Sequence, residues 1–164
     1  MTNYEDLAGE SRVWVFQANK ELSEQEQKSI TEELTDFVDN WLSHGSLLKS
    51  HVKLLYNRFI VFFADEQGDR MCGRAVDASV RFVKALEAKH KLVLLDRTMM
   101  AYIDSNGKVQ GCKLDELNKI MEEGKVTPET KVFNNLVQNK IEFEKSWIVP
   151  LSQSWHQNYI MQNH

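Results

Sequence analysis

Phe59-Ile60-Val61-Phe62-Phe63-Ala64 decides the fold. Six consecutive apolar residues, rich in β-branched and aromatic side chains and followed by Asp65, read as a buried strand. Val52-Lys53-Leu54-Leu55-Tyr56 precedes it, and Asn57-Arg58 between the two runs is short enough for a tight hairpin turn, although the usual glycine is missing. After the strand, Gly68 to Gly73 forms a short loop. Val76, Val80, Val83 and Leu86 then repeat at helical spacing as far as Lys89 or His90. Residues 52–83 therefore read as hairpin, loop and amphipathic helix, with arginines where loop meets helix.

Working outward, Val13-Trp14-Val15-Phe16 reads as a first strand, and Ser23-Glu24-Gln25-Glu26 as a capping box that starts a helix. Ile30, Leu34, Phe37, Val38, Trp41 and Leu42 give that helix an apolar face, with Gly45 after His44 as its C-terminal cap. Leu92 to Leu95 fits either a helix end or a strand. Thr98 to Ile103 reads as a strand, and Asp104-Ser105-Asn106-Gly107 as the turn to a partner strand at Lys108 to Cys112. The order strand, helix, strand, strand, helix, strand predicts an α+β fold with a ferredoxin-like (βαββαβ) antiparallel sheet over about residues 11–112, both helices on one face. A mostly helical extension is expected over about 113–164. It comprises Leu114 to Glu123 capped by Gly124, a turn or helix start at Thr127-Pro128, and a helix from about Leu136 to Ser146. Trp147, Ile148, Leu151, Trp155 and Tyr159 give this tail enough apolar surface to dock on the core or on the free sheet face.

Length and composition set bounds on function. The chain has 164 residues, which fits one domain burying about two thirds of the surface its unfolded form exposes. Its longest apolar run is far short of a membrane span, and Met1 to Asp6 lacks the basic start and apolar core of a signal peptide, so a cytoplasmic protein without membrane insertion is expected. Cys72 and Cys112 are expected to be free thiols in that compartment. A net charge of −4 with dispersed lysines argues against nucleic acid as a partner. Aromatic residues on the first and third strands resemble the base-stacking positions of RNA-recognition sheets, but the glycines and basic residues of that motif are absent.

Ser11-Arg12-Val13-Trp14, Asn57-Arg58-Phe59, Val132-Phe133-Asn134-Asn135-Leu136-Val137 and Ser154-Trp155-His156 resemble a family of small bacterial proteins found mainly in Bacteroidetes. Members are often labelled ABC transporter ATPases. The resemblance brings no assigned site residues, so the label rests on the residues themselves. Gly68-Asp69-Arg70-Met71-Cys72-Gly73-Arg74-Ala75 has two glycines at P-loop spacing, yet Arg74 and Ala75 stand where a P-loop has its phosphate-binding lysine and its metal-binding hydroxyl. Asp65 and Asp96 each end an apolar run as the acidic residue of a second ATPase strand would. No Leu-Ser-Gly-Gly-Gln segment accompanies them.

The remaining candidates are simpler. Arg70, Arg74 and Arg81, with Gly73 at the helix start, fit a small anion such as a phosphate or carboxylate, although surface ion pairs with Glu66, Asp69 and Asp77 explain them more simply. Cys72 beside the same helix start is a possible reactive thiol needing a base from His51, His90 or His156, or an inert half-buried cysteine. Asn134, Asn135, Gln17 and their amide neighbours fit a neutral polar ligand or local capping. No histidine spacing supports a metal site, and no cofactor is expected. The sequence reads as a non-catalytic binding or interaction module, engaging a protein partner or itself through a sheet edge or face. A small-anion enzyme or sensor at the arginine cluster is the alternative.

Overall fold

A computed structural model describes residues 1–160. The chain runs β1 (Arg12–Gln17), α1 (Glu24–Asp39), β2 (Leu42–Ser43), β3 (Ser46–Leu47), β4 (Lys49–Leu55), β5 (Phe59–Asp65), α2 (Gly73–His90), β6 (Met99–Ile103), β7 (Val109–Lys113), α3 (Leu117–Glu122), β8 (Lys131–Phe133), α4 (Lys140–Ser146) and β9 (Ile148–Pro150), with short 3-10 turns between. The α+β class follows directly. Two antiparallel sheets carry the fold, β1-β5-β4 and β7-β6-β8-β9, and β2-β3 is a separate small hairpin.

β5 is buried along its whole length, and this explains its unbroken apolar run: a half-buried strand alternates, whereas one covered on both faces does not. Ile60, Phe62 and Ala64 face α1 and α2 in a core with Ile30, Leu34, Val38, Trp41, Val83 and Leu86. Phe37 stacks on Phe82 at 4.4 Å between the helices, and Trp41 Nε1 donates to the Ala75 carbonyl at 2.9 Å. Phe59, Val61 and Phe63 point the other way, onto Ala101, Phe133, Val137 and Trp147 of the second sheet and its flank. The outer face of the second sheet is closed by Leu114, Leu117, Ile120 and Leu151. The layers are thus helices, sheet, sheet, helix. The predicted capping box at Ser23 and Glu26 is formed.

The first sheet has the strand order of a split βαβ unit, and the fourth strand of the ferredoxin-like pattern lies elsewhere. β6 is at the centre of the second sheet, paired with β7 and β8. The cause lies just after α2. The helix ends at left-handed Lys91, Leu92 and Leu94 insert into the first core, and the Asn19 backbone N–H and Oδ1 bind Val93, so the chain leaves the first sheet before β6 begins. β6 then buries Met100 and Tyr102 on one face and Ala101 on the other, which requires a layer of its own.

Three smaller expectations also differ. Residues 113–160 are not mostly helical: β8 and β9 complete the second sheet, and α4 starts at Lys140 with Asn139 capping Glu142. This tail does cover the free face of the first sheet. His44-Gly45 is not the end of α1, which stops at Asp39; both residues have positive φ and form the turn of the β2-β3 hairpin. The glycine-free turn before β5 is made by Tyr56 and Asn57, both left-handed, as a type I′ hairpin turn requires.

Phe62→Ala, which empties a fully buried site facing both helices, should lower stability by about 3–5 kcal/mol, whereas Ser23→Ala, which removes one cap, should cost about 1 kcal/mol. Urea denaturation followed by circular dichroism checks both, and comparable losses would contradict this layering.

Candidate functional site

Arg70, Arg74 and Arg81 are all exposed. Arg70 lines a shallow cleft of about 290 Å³ with Glu10, Asp65, Glu66, Gln67, Gly68 and Asp69. That surroundings set is dominated by carboxylates. Arg74 and Arg81 line neither this cleft nor the larger one described below. The two aspartates that resemble ATPase strand ends are occupied structurally. Asp65 accepts from the backbone N–H groups of Ala8 and Gln67, with Lys49 at 3.7 Å. Asp96 is bound by Lys113 and Thr98, which hold its carboxyl down at about 2.

Cys72 is the N-cap of α2, and its base candidates lie elsewhere: His51 bonds the Thr2 carbonyl, His90 bonds Glu33, and His156 bonds Ser154. The histidine beside it is His44, which the β2-β3 hairpin carries over the helix start, its Nε2 2.6 Å from the Arg70 carbonyl. Ser43 Oγ accepts from the Cys72 backbone N–H at 3.2 Å. Hydrogen bonds from the backbone of His44 and of Ala75, together with Ser43, lower the Cys72 thiol to about 7. Burial pushes the Cys112 thiol up to about 11.

A larger concavity, about 950 Å³, runs along the outer edge of β1. Its walls are Val76 and Val80 of α2, residues 94–97, residues 135–139 and Trp155. β1 pairs with β5 on its other side, from Arg12 opposite Ala64 to Gln17 opposite Phe59. Backbone groups alternate sides along a strand. The Val13 N–H donates outward to the Gln138 carbonyl at 3.0 Å, so Val15 and Gln17 also present their N–H and C=O groups to the cleft. The edge is closed at one end by Gln138 and by Lys140, which donates to the Ser11 carbonyl at 2.9 Å. At the other end the Asn19 N–H donates to the Val93 carbonyl at 3.1 Å. Between these closures, among the described residues, the Val15 N–H and C=O have no hydrogen-bond partner.

Fixed amides stand beside this window. Gln17 Nε2 donates to the Met100 carbonyl at 2.8 Å, Asn135 Nδ2 donates to Gln17 Oε1 at 3.1 Å, and Trp147 Nε1 donates to Asn135 Oδ1 at 3.0 Å. Of the neutral-ligand amides of the sequence, Gln17 and Asn135 bind each other, whereas Asn19, Asn134 and Asn139 accept from the backbone N–H groups of Val93, Leu136 and Glu142. Leu136 on the rim is 61% exposed, a large apolar side chain offered to solvent at the cleft. Trp155 stacks on buried His156 with ring centroids 3.9 Å apart, and burial pulls the imidazole down to about 4, so it is neutral near pH 7.

Neither the open β1 edge nor His44 was singled out from sequence. The edge depends on where β6 goes, which is a tertiary outcome. His44-Gly45 between Leu42-Ser43 and Ser46-Leu47 does carry a hairpin signal, hidden by its position just after a helix. Compared with models of known families, with curated proteins and with solved structures, the chain matches none. Among the described residues no cluster of three metal-ligating side chains occurs, and no helix is long and apolar enough to cross a membrane.

The two thiols should separate by pH. Alkylation by iodoacetamide, followed by mass spectrometry of each cysteine peptide, should show Cys72 reacting at half its maximal rate near pH 7 and Cys112 staying slow below pH 9. Equal rates at pH 7 would contradict the hydrogen-bonded thiol.

Proposed function

We propose that this chain is a non-catalytic, cytoplasmic binding module that takes an extended segment of a partner protein along β1. The observation that carries the proposal is the open β1 edge inside an apolar-walled cleft. Unspent N–H and C=O groups at strand spacing are complemented by another extended backbone, and the alternate side chains of that segment would meet Val76, Val80, Leu94 and Leu136. β1-β5-β4 is a ferredoxin-like order short of one strand, and the incoming segment takes the fourth place. The unpaired groups are hydrated in the free protein, so each main-chain bond adds only about 1 kcal/mol and the apolar contacts supply the larger share.

Self-association through β1 is the weaker version. Residues 94–97 and 135–139 wall the cleft beside the edge, and a second β1 would bring the same walls with it. The alternative of an anion site at Arg70, Arg74 and Arg81 draws little support from surroundings rich in Glu10, Asp65, Glu66 and Asp69. The ATPase label of the similar Bacteroidetes proteins is not part of the proposal, since Arg74 and Ala75 supply neither of the required contacts.

Proline at position 15 removes an outward N–H and leaves the β1-β5 ladder intact, so V15P should fold and lose affinity. Peptides selected by display against the purified protein should bind wild type and V15A alike and bind V15P about fivefold or more weakly by fluorescence anisotropy. Selection that yields no peptide, or peptides that bind V15P undiminished, would overturn the reading.

A further inference from the structure

Arg58 is a buried arginine, only 8% exposed, at the turn that leads into β5. Among the described residues no carboxylate lies within ion-pair distance of its guanidinium and the group makes no hydrogen bond. A guanidinium keeps its charge, and because none of its nitrogens is among the wholly buried side-chain atoms without a partner, its N–H groups still reach solvent. Its position is nonetheless specifically accommodated. A Cβ on Gly111 of β7 would lie 2.8 Å from Arg58 Nη1, so the absent side chain there makes the room that the guanidinium fills. The same point is 3.6 Å from Gln17 Nε2, whose position is fixed by the Met100 carbonyl and by Asn135. Gly111 itself is exposed, so the charge lies just beneath the surface.

We propose that Arg58, with Gln17 beside it over Gly111, forms a binding site for one small oxyanion, the carboxylate or phosphate group of a metabolite or modified side chain. A planar guanidinium with free N–H groups next to a fixed amide donor matches two oxygens of such a group, and the anion supplies the charge that the protein omits. Burial weakens the hold of Arg58 on its proton, and the carboxylate of Glu21 acts on it only at a distance. This site is separate from the arginines at the start of α2; it shares Gln17 with the β1 edge but does not need a strand to bind there.

Thermal unfolding of the full chain in sodium phosphate and in sodium acetate, each against sodium chloride at matched ionic strength, tests the site and separates the two oxyanion classes. A saturable rise in midpoint of several degrees is expected in wild type and in E21Q, with at least one of the two anions, and is expected to vanish in R58M. G111A, whose new methyl displaces the guanidinium, should weaken the response at least tenfold in anion concentration, and it decides the matter should R58M fail to fold. No rise with either anion would overturn the proposal. An equal rise in R58M or G111A would do the same, as would a rise confined to E21Q, which would show that Glu21 already occupies the guanidinium.

Discussion

The burial of β5 on both faces is the constraint from which the rest of the structure follows. A strand with Ile60, Phe62 and Ala64 on one side and Phe59, Val61 and Phe63 on the other needs two apolar layers to cover it. α1 and α2 provide the first. The second is an entire sheet, placed where a simple two-layer domain would have ended. Since β6, β8 and β9 are committed to that sheet, none is left to flank β1, and the cleft along β1 is a direct consequence of how β5 is covered.

The N-terminal segment is tied into the same arrangement. Buried Lys140 donates from Nζ to the carbonyls of Tyr4 and Leu7, both at 2.9 Å, and lies over the Tyr4 ring. Leu7 joins the core between the sheets. The start of α4 thereby fixes both the chain's beginning and residues 138–140, the segment that closes one end of the β1 edge. The width of the open window is therefore set by packing on both sides of it, which makes it a feature of the folded core and not of a surface loop.

What was legible in the sequence was local. The unbroken run at 59–64, the capping box at Ser23 and the heptad-spaced valines of α2 each specify an element through its own residues. What was not legible depended on partners far along the chain. Thr98 to Ile103 reads as a strand under any rule, yet its sheet is chosen by Leu92 and Leu94 entering the first core and by Val132 pairing with Tyr102 thirty residues later. β8 and β9, three residues each, are too short to show a period and were overwritten by the helical pattern around them. The candidate site suffered most, because an open edge is defined by a strand that does not arrive. Cys72 was visible by its place at a helix start, whereas His44 became its neighbour only through a hairpin. Arg58 was passed over as half of a turn.

The central claim is that β1 has a paired side and an open side, and amide hydrogen exchange measured residue by residue by NMR tests it most directly. The Trp14 and Phe16 amides, bonded into the ladder with β5, should exchange slowly, at rates set by opening of the core. Val15 between them, facing the cleft, should exchange orders of magnitude faster. Protection of Val15 equal to that of its two neighbours would mean that the edge is already paired in solution, and the account of an open strand position would fail.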